Sequence, residues 1–217
     1  LDEAIAAYRK ALELRPEFPD AAYNLGLALR RGGQFTDAIA AFRTALAVRT
    51  NHAETWNSLG DALYASGQKE RAIDVFRQAT ALRPDYVEAW YNLGTALREE
   101  GRKEDAIAAH RKAISLRAEF PEAYNSLGSL LNDTGHPEEA IEAYRKCLAI
   151  SPRCPEAYFN LGNVLREIGD SDGAEQSFRM AIAQEPAFAP AWYNLADVQE
   201  QRGKLLDAIS TLQAVLN

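Results

Sequence analysis

The stretch VEAWYNLGTALREEGRKEDAIAAHRKAISLRAEF, residues 87–120, decides the fold, because its landmarks recur along the whole chain. Its Gly94 belongs to a series with Gly26, Gly60, Gly128 and Gly162, spaced by 34 residues, and Ala196 continues it. Leu25, Leu59, Leu93, Leu127, Leu161 and Leu195 stand one residue earlier. Twelve residues after each glycine come Ala38, Ala72, Ala106, Ala140, Ala174 and Ala208. An aromatic or small residue precedes each Leu by three: Ala22, Trp56, Trp90, Tyr124, Tyr158 and Trp192. A later large position holds Phe42, Phe76, His110, Tyr144, Phe178 and Leu212, followed by the small Ala45, Ala79, Ala113, Cys147, Ala181 and Val215. Pro84, Pro152 and Pro186 close their repeats, where Thr50 and Ala118 replace proline in the others. A fixed period of this length is the mark of a repeat architecture.

Each position has a physical reason. Small residues let two helix backbones approach, and the large residue fills the space beside them. Proline cannot continue the second helix and marks the turn. Gly33, Gly67, Gly101, Gly135, Gly169 and Gly203 fall between helices, where a turn with positive φ is expected. His110, at a large core position, is expected to be packed and neutral. The pattern resembles the tetratricopeptide-repeat family over essentially the entire chain. That resemblance implies an all-α, right-handed superhelical solenoid of antiparallel helix pairs. The repeats are placed at 19–52, 53–86, 87–120, 121–154, 155–188 and a slightly shortened 189–217, in one continuous stack. Residues 1–18 read as the second helix of an earlier repeat, with Ala4, Tyr8, Ala11 and Pro16 at the matching positions, so thirteen helices are expected. The chain does not begin with Met and reads as a piece of something longer.

The formal net charge is −7, and Lys and Arg alternate with acids rather than forming a basic run, which argues against nucleic-acid binding. Surface charges are expected to pair along helices, as in Glu99 with Lys103. No apolar stretch approaches the roughly 20 residues a membrane span needs, and no signal peptide is expected from the residues given. Cys147 and Cys154 lack the spacing of a zinc site, and their scarcity suits a reducing, cytoplasmic setting. His52, His110 and His136 occupy three different repeat positions. No phosphate loop, HExxH or GxSxG occurs. No catalytic, metal or cofactor residue is therefore assigned, and enzymatic activity is not expected of this chain, the question staying open for a longer parent protein.

Counting about 100° per residue, repeat positions 2, 5, 6, 9 and 12 share one side of the first helix. In the family this side lines a peptide groove. Position 5 holds Tyr23, Asn57, Tyr91, Asn125, Phe159 and Tyr193; position 6 holds Asn24, Ser58, Asn92, Ser126, Asn160 and Asn194. Asp61 and Asn163 at position 9, and Arg30, Tyr64, Arg98 and Arg166 at position 12, complete the candidate set, with Asn132 and Glu200 at position 12 of repeats four and six. Asparagine is a poor helix former, so its recurrence asks for another reason. An amide both donates and accepts, and a row of amides can bond the backbone of an extended peptide without reading its sequence. The row resembles the asparagine ladder in the repeat domain of O-linked N-acetylglucosamine transferases, broken here by Ser58 and Ser126. An amide that bonds the neighbouring repeat is the structural alternative. A terminal-carboxylate clamp of the heat-shock co-chaperone kind is not expected, since position 5 lacks Lys and position 2 is acidic: Asp20, Glu54, Glu88, Glu122 and Glu156.

Odd repeats combine an aromatic, an amide and an arginine, and even repeats do not. This alternation is read either as a composite ligand site every second repeat or as the trace of a duplicated pair. The expected function is a scaffold holding an extended segment of a partner protein; the alternative is the substrate-selecting arm of a larger glycosyltransferase-like enzyme. One or both ends, with Leu205, Leu206, Ile209, Leu212, Val215 and Leu216 at the last helix and Ile5, Tyr8 and Leu12 at the first, are expected to pack against another chain, end-to-end self-association included, or against a segment of a longer parent protein.

Overall fold

A computed structural model describes residues 1–215. Among them are thirteen helices and no strand, as the repeat spacing predicts. They are α1 (Asp2–Leu14), α2 (Pro19–Arg31), α3 (Phe35–Val48), α4 (Ala53–Ala65), α5 (Lys69–Leu82), α6 (Val87–Glu99) and α7 (Lys103–Leu116), then α8 (Pro121–Asp133), α9 (Pro137–Ile150), α10 (Pro155–Glu167), α11 (Ser171–Gln184), α12 (Ala189–Gln201) and α13 (Leu205–Val215). The chain divides into two compact units, α1 to α7 and α8 onward, with the boundary after Leu116. Within each unit the helices pack as antiparallel pairs, and the first helices of successive pairs touch: α2, α4 and α6 in one unit, α8, α10 and α12 in the other.

Sequence dictates the pairs locally. Proline stands in the first turn of α2, α8, α9, α10 and α12, where its missing N–H costs nothing. Each turn inside a pair runs through a glycine at positive φ, such as Gly67 at +81°, with the Gln68 N–H closing back on the Leu63 carbonyl at 2.9 Å. The repeated glycine then sets the distance between paired helices. A Cβ built on Gly26 would lie 2.5 Å from Phe42 Cε1, and one on Gly60 would lie 2.4 Å from Phe76 Cε1. Both rings are buried.

The tryptophans three residues before Leu have a polar task as well. Trp56, Trp90 and Trp192 donate their indole N–H to the carbonyls of Thr50, Pro84 and Pro186, at 2.7, 2.9 and 2.9 Å. Each indole thus satisfies a carbonyl left over just past the preceding second helix. Trp90→Phe keeps the ring and removes the donor, and is expected to cost about 1 kcal/mol in urea denaturation.

Two expectations need correction. Glu99 does not pair with Lys103, because the two residues lie on different helices; it takes Lys69 at 2.8 Å and the Tyr64 hydroxyl. At the first end, Ile5 is buried and Tyr8 and Leu12 are half-buried, because α1 packs against α2; Leu1 and Leu14 are exposed instead. At the other end, Leu205, Leu206, Ile209 and Leu212 are exposed, Leu206 by 83%. The Val215 side chain and Leu216 lie outside the described residues.

Candidate functional site

The asparagine row lies along the adjoining first helices, but it is not fully exposed. Asn57 and Ser58 are buried, each with 6% of its surface accessible, and Asn24, Asn92, Ser126, Asn160 and Asn194 are half-buried. Three of the amides are spent partly on the neighbouring repeat. Asn92 donates to Asn57 Oδ1 at 3.1 Å and to Asp61 Oδ1 at 2.9 Å. Asn160 donates to Asn125 Oδ1 at 3.3 Å, and Asn194 to Asn163 Oδ1 at 2.7 Å. The side-chain N–H groups of these residues thus fix the register of successive first helices, which accounts for asparagine at a position where helix propensity disfavours it.

Position 12 resolves into two bonding modes that follow the alternation. In odd repeats the arginine reaches an aspartate at position 9 of the next repeat: Arg30 to Asp61 at 2.9 Å and Arg166 to Asp197 at 2.8 Å. In even repeats the side chain reaches a glutamate near the next helix end: Tyr64 to Glu99, and Asn132 to Glu167 at 3.1 Å. The alternation is therefore at least a structural device, and Arg30 and Arg166 are not the free cations expected from sequence. Arg98 stands in no ion pair among the described residues; the position that would supply its aspartate, residue 129, is serine. Two acids of position 2 are paired away from these arginines. Asp20 pairs with Arg49 at 2.8 Å and Glu54 with Arg83 at 2.5 Å, both at the end of the following second helix.

The aromatics of position 5 also turn out to be partly structural. Tyr23 packs on Phe42, Tyr91 on His110 and Phe159 on Phe178, with ring centroids 6.0, 5.4 and 5.9 Å apart. Tyr193 alone is exposed, by 58%, because Leu212 offers it no ring. Electrostatics mark two groups here. Burial pushes the Asp61 carboxyl up to about 6, with Arg30 pulling the other way. Burial, and then the bond to Glu99, push the Tyr64 phenol up to about 12.

In the second unit the row opens into a pocket of about 340 Å³. Asn132, Asn160, Asn163 and Asn194 line it, together with Ser129, Arg166 and the carboxylates Asp133 and Glu167. The Arg166 guanidinium there is already paired with Asp197, and Glu167 accepts only from the Asn132 amide among the described residues. Sequence reasoning placed Asn160, Asn163, Arg166 and Asn194 on this face. It missed Ser129, Asp133, Glu167 and the pairing role of Asp197, although the 31-residue step from Arg to Asp is visible twice in the sequence. Among the described residues no group of His, Cys, Asp or Glu could hold a metal ion.

Family models for the tetratricopeptide repeat match residues 57–124, 108–155, 125–187 and 159–216, and a second matches 17–85; a TPR-repeat model matches 1–31. The chain belongs to the tetratricopeptide-repeat family. Among solved TPR structures, the MamA protein is 31% identical, with a TM-score of 0.73, covering 79% of this chain and 93% of that one. YrrB, described as a TPR protein with an unusual peptide-binding site, is 22% identical with a TM-score of 0.74, covering 85% of this chain and 95% of that one. PilF of Pseudomonas aeruginosa is 21% identical with a TM-score of 0.77, covering 90% and 89%. The last two share the fold alone. No curated protein matches the chain. No helix of this TPR chain is long and apolar enough to cross a membrane, among the described residues.

Proposed function

We propose that this TPR chain is a protein-interaction scaffold whose first-helix face holds an extended segment of a partner polypeptide. The observation that carries the proposal is the pocket of about 340 Å³ in which four asparagine amides meet beside Asp133 and Glu167. The N–H groups engaged between repeats leave acceptor oxygens and further N–H groups for a ligand, since each amide offers two donors and an acceptor. An extended backbone presents alternating donors and acceptors to such a row. Glu167, bonded to the neutral Asn132 amide, favours a segment that carries a basic side chain. YrrB, with its peptide-binding site, is a fold-level precedent. The likeness to the glycosyltransferase ladder enters only as a binding device, and no observation favours an attached catalytic domain. No chemical step is assigned to the chain, and a cytoplasmic setting is part of the same proposal.

Panning a random linear peptide library on the chain, followed by titration calorimetry of the selected peptide, tests this reading. Asn160→Ala with Asn163→Ala is expected to weaken binding by roughly 1–3 kcal/mol. Arg98→Ala, which removes an unpaired guanidinium of the first unit, is expected to cost about 1–2 kcal/mol for a peptide held on that unit's first helices, and Ser126→Ala far less for one held on the second unit. Selected peptides that bind every one of these variants equally tightly would place the ligand elsewhere.

Self-association belongs to the same proposal. The exposed Leu205, Leu206, Ile209 and Leu212 of α13 are the surface through which a second copy docks. Sedimentation velocity is expected to show concentration-dependent dimers that Leu206→Asp abolishes; a monomer at all concentrations contradicts it.

A further inference from the structure

Helix α11 departs from the repeat at several positions at once, and the departures meet in space. Position 21 is isoleucine in every other repeat: Ile5, Ile39, Ile73, Ile107, Ile141 and Ile209. In α11 it is Glu175, and that side chain is buried, with 4% of its surface accessible. A buried carboxylate in an isoleucine's place is not a stability device. Well-packed apolar residues serve as well or better, and the other repeats use them.

Three cations gather on it. Lys204 Nζ and Arg202 Nη1 lie 2.9 and 2.5 Å from Oε2, and Arg179 Nη2 lies 2.7 Å from Oε1. Arg202 also meets Asp172. Oε1 is nonetheless left without a hydrogen bond of good geometry. Burial would push the Glu175 carboxyl up, but Lys204, Arg179 and Arg202 hold it below the ordinary carboxylate range. Arg202 has no basic counterpart: residues 32, 66, 100, 134 and 168 are Gly, Ser, Glu, Thr and Ile. Three cations share two carboxylates, so the cluster keeps one positive charge. It lines a pocket of about 390 Å³ with Gln176 and Met180.

On the other flank of α11, Gly173 replaces the acid that other repeats use to pair with an arginine 28 residues earlier. Arg9 pairs with Asp37 at 3.4 Å and Arg77 with Asp105 at 3.7 Å. Arg145 faces Gly173 in the same register and stands in no ion pair among the described residues. It lines a second pocket, of about 430 Å³, together with Tyr158, Gly173, Ser177 and the same Gln176 and Met180. The one carboxylate there, Asp170, caps α11 by accepting the Gly173 N–H at 2.9 Å. Met180, partly exposed, thus separates an unpaired arginine from a cluster with surplus positive charge.

We propose that α11 carries a second binding site, distinct from the asparagine face, for an acidic segment of a partner protein with an apolar side chain between its carboxylates. One carboxylate takes Arg145 and the other takes Arg202 and Lys204, while the apolar side chain lies on the Met180 thioether. Arginine suits this role because its planar fork matches a carboxylate. Met adapts to the apolar group.

The test uses the whole chain, isotope-labelled, and a short fluorescein-labelled peptide of alternating Glu and Leu. The same peptide with Lys for Glu, vesicles containing phosphatidylserine and inorganic phosphate serve as the other arms. Saturable binding of the acidic peptide is expected, with backbone NMR shifts at Gly173, Gln176 and Met180. Arg145→Glu, at an exposed unpaired residue, is expected to weaken it on the order of tenfold or more, and Lys204→Gln similarly, while Asn160→Ala leaves it unchanged. Circular dichroism monitors folding, and if Lys204→Gln unfolds the chain, Arg145→Glu decides alone. Equal affinity for the lysine peptide, the vesicles or phosphate overturns the proposal, as do an unchanged affinity in Arg145→Glu and shifts confined to the asparagine face.

Discussion

His110→Phe is expected to raise the stability of the first unit by about 1–3 kcal/mol at neutral pH. The histidine fills the position taken by Phe42, Phe76, Tyr144 and Phe178 in other repeats and is fully buried. Neither ring nitrogen has a hydrogen-bond partner. Two polar atoms were dehydrated on folding and received nothing in return, and phenylalanine removes that cost while keeping the ring that Gly94 accommodates. The effect grows with acid. Burial drives the His110 pKa down from 6.5 to about 4, with Arg98 adding to the shift. The unfolded chain therefore binds a proton that the folded chain refuses. Stability is lost as pH falls from about 6.5 to about 4, by a total on the order of 3 kcal/mol. Asp61 works in the opposite sense across an overlapping window. Its carboxyl is raised from 3.8 to about 6, so the folded state takes up a proton first and gains stability as pH falls through that range. The wild-type profile between pH 7 and 4 is thus expected to be shallow. His110→Phe should unmask a chain that gains stability on mild acidification, and Asp61→Asn one that loses it. Urea denaturation at several pH values reads all three. Parallel profiles for wild type and both variants contradict the assignment of these two groups.

Gly60→Ala is expected to destabilise the first unit although alanine is the better helix former. In a helix interior the exchange by itself favours the helix by about 1 kcal/mol. Here the new methyl would lie 2.4 Å from Phe76 Cε1, and the ring, buried against α4, has nowhere to retreat. Overpacking of this kind costs about 1–3 kcal/mol, or more where nothing yields, so the packing penalty wins. The sign should reverse once the ring is gone. Phe76→Ala alone is expected to cost about 3–5 kcal/mol, and adding Gly60→Ala to it should be neutral or restore up to about 1 kcal/mol. Such a non-additive cycle isolates the glycine–ring contact as the pairing device of the repeat. Coupling in repeat arrays runs between neighbours, so hydrogen exchange in Gly60→Ala should quicken mainly over residues 53–86.

The fold was legible because a repeat writes the same packing solution several times. Leu-Gly pairs, the alanine twelve residues on, and the large residue opposite are each over-determined by recurrence. The side chains of the binding face were less legible, because one residue type does two jobs there. Asn92, Asn160 and Asn194 stand on the face expected of them, yet each spends an N–H on the repeat before it. Arg30 and Arg166 sit in the ligand-facing register, yet they close on Asp61 and Asp197. Periodicity gives a side chain's direction, but its partner depends on what the next repeat presents within reach, and that distance is a property of packing. The α11 cluster was hidden for a different reason. Its signal is a departure from the repeat, Glu175 for isoleucine and Gly173 for an acid, and a departure has meaning only once the consensus position is known to be buried.

The most direct test of the central claim is NMR observation of the side-chain amide groups of Asn132, Asn160, Asn163 and Asn194 as an affinity-selected linear peptide is titrated into the labelled chain. The scaffold reading predicts that these resonances shift together and saturate at the calorimetric affinity, while that of the exposed Asn51 stays still. Saturation of binding with the four asparagine side chains unmoved would contradict it.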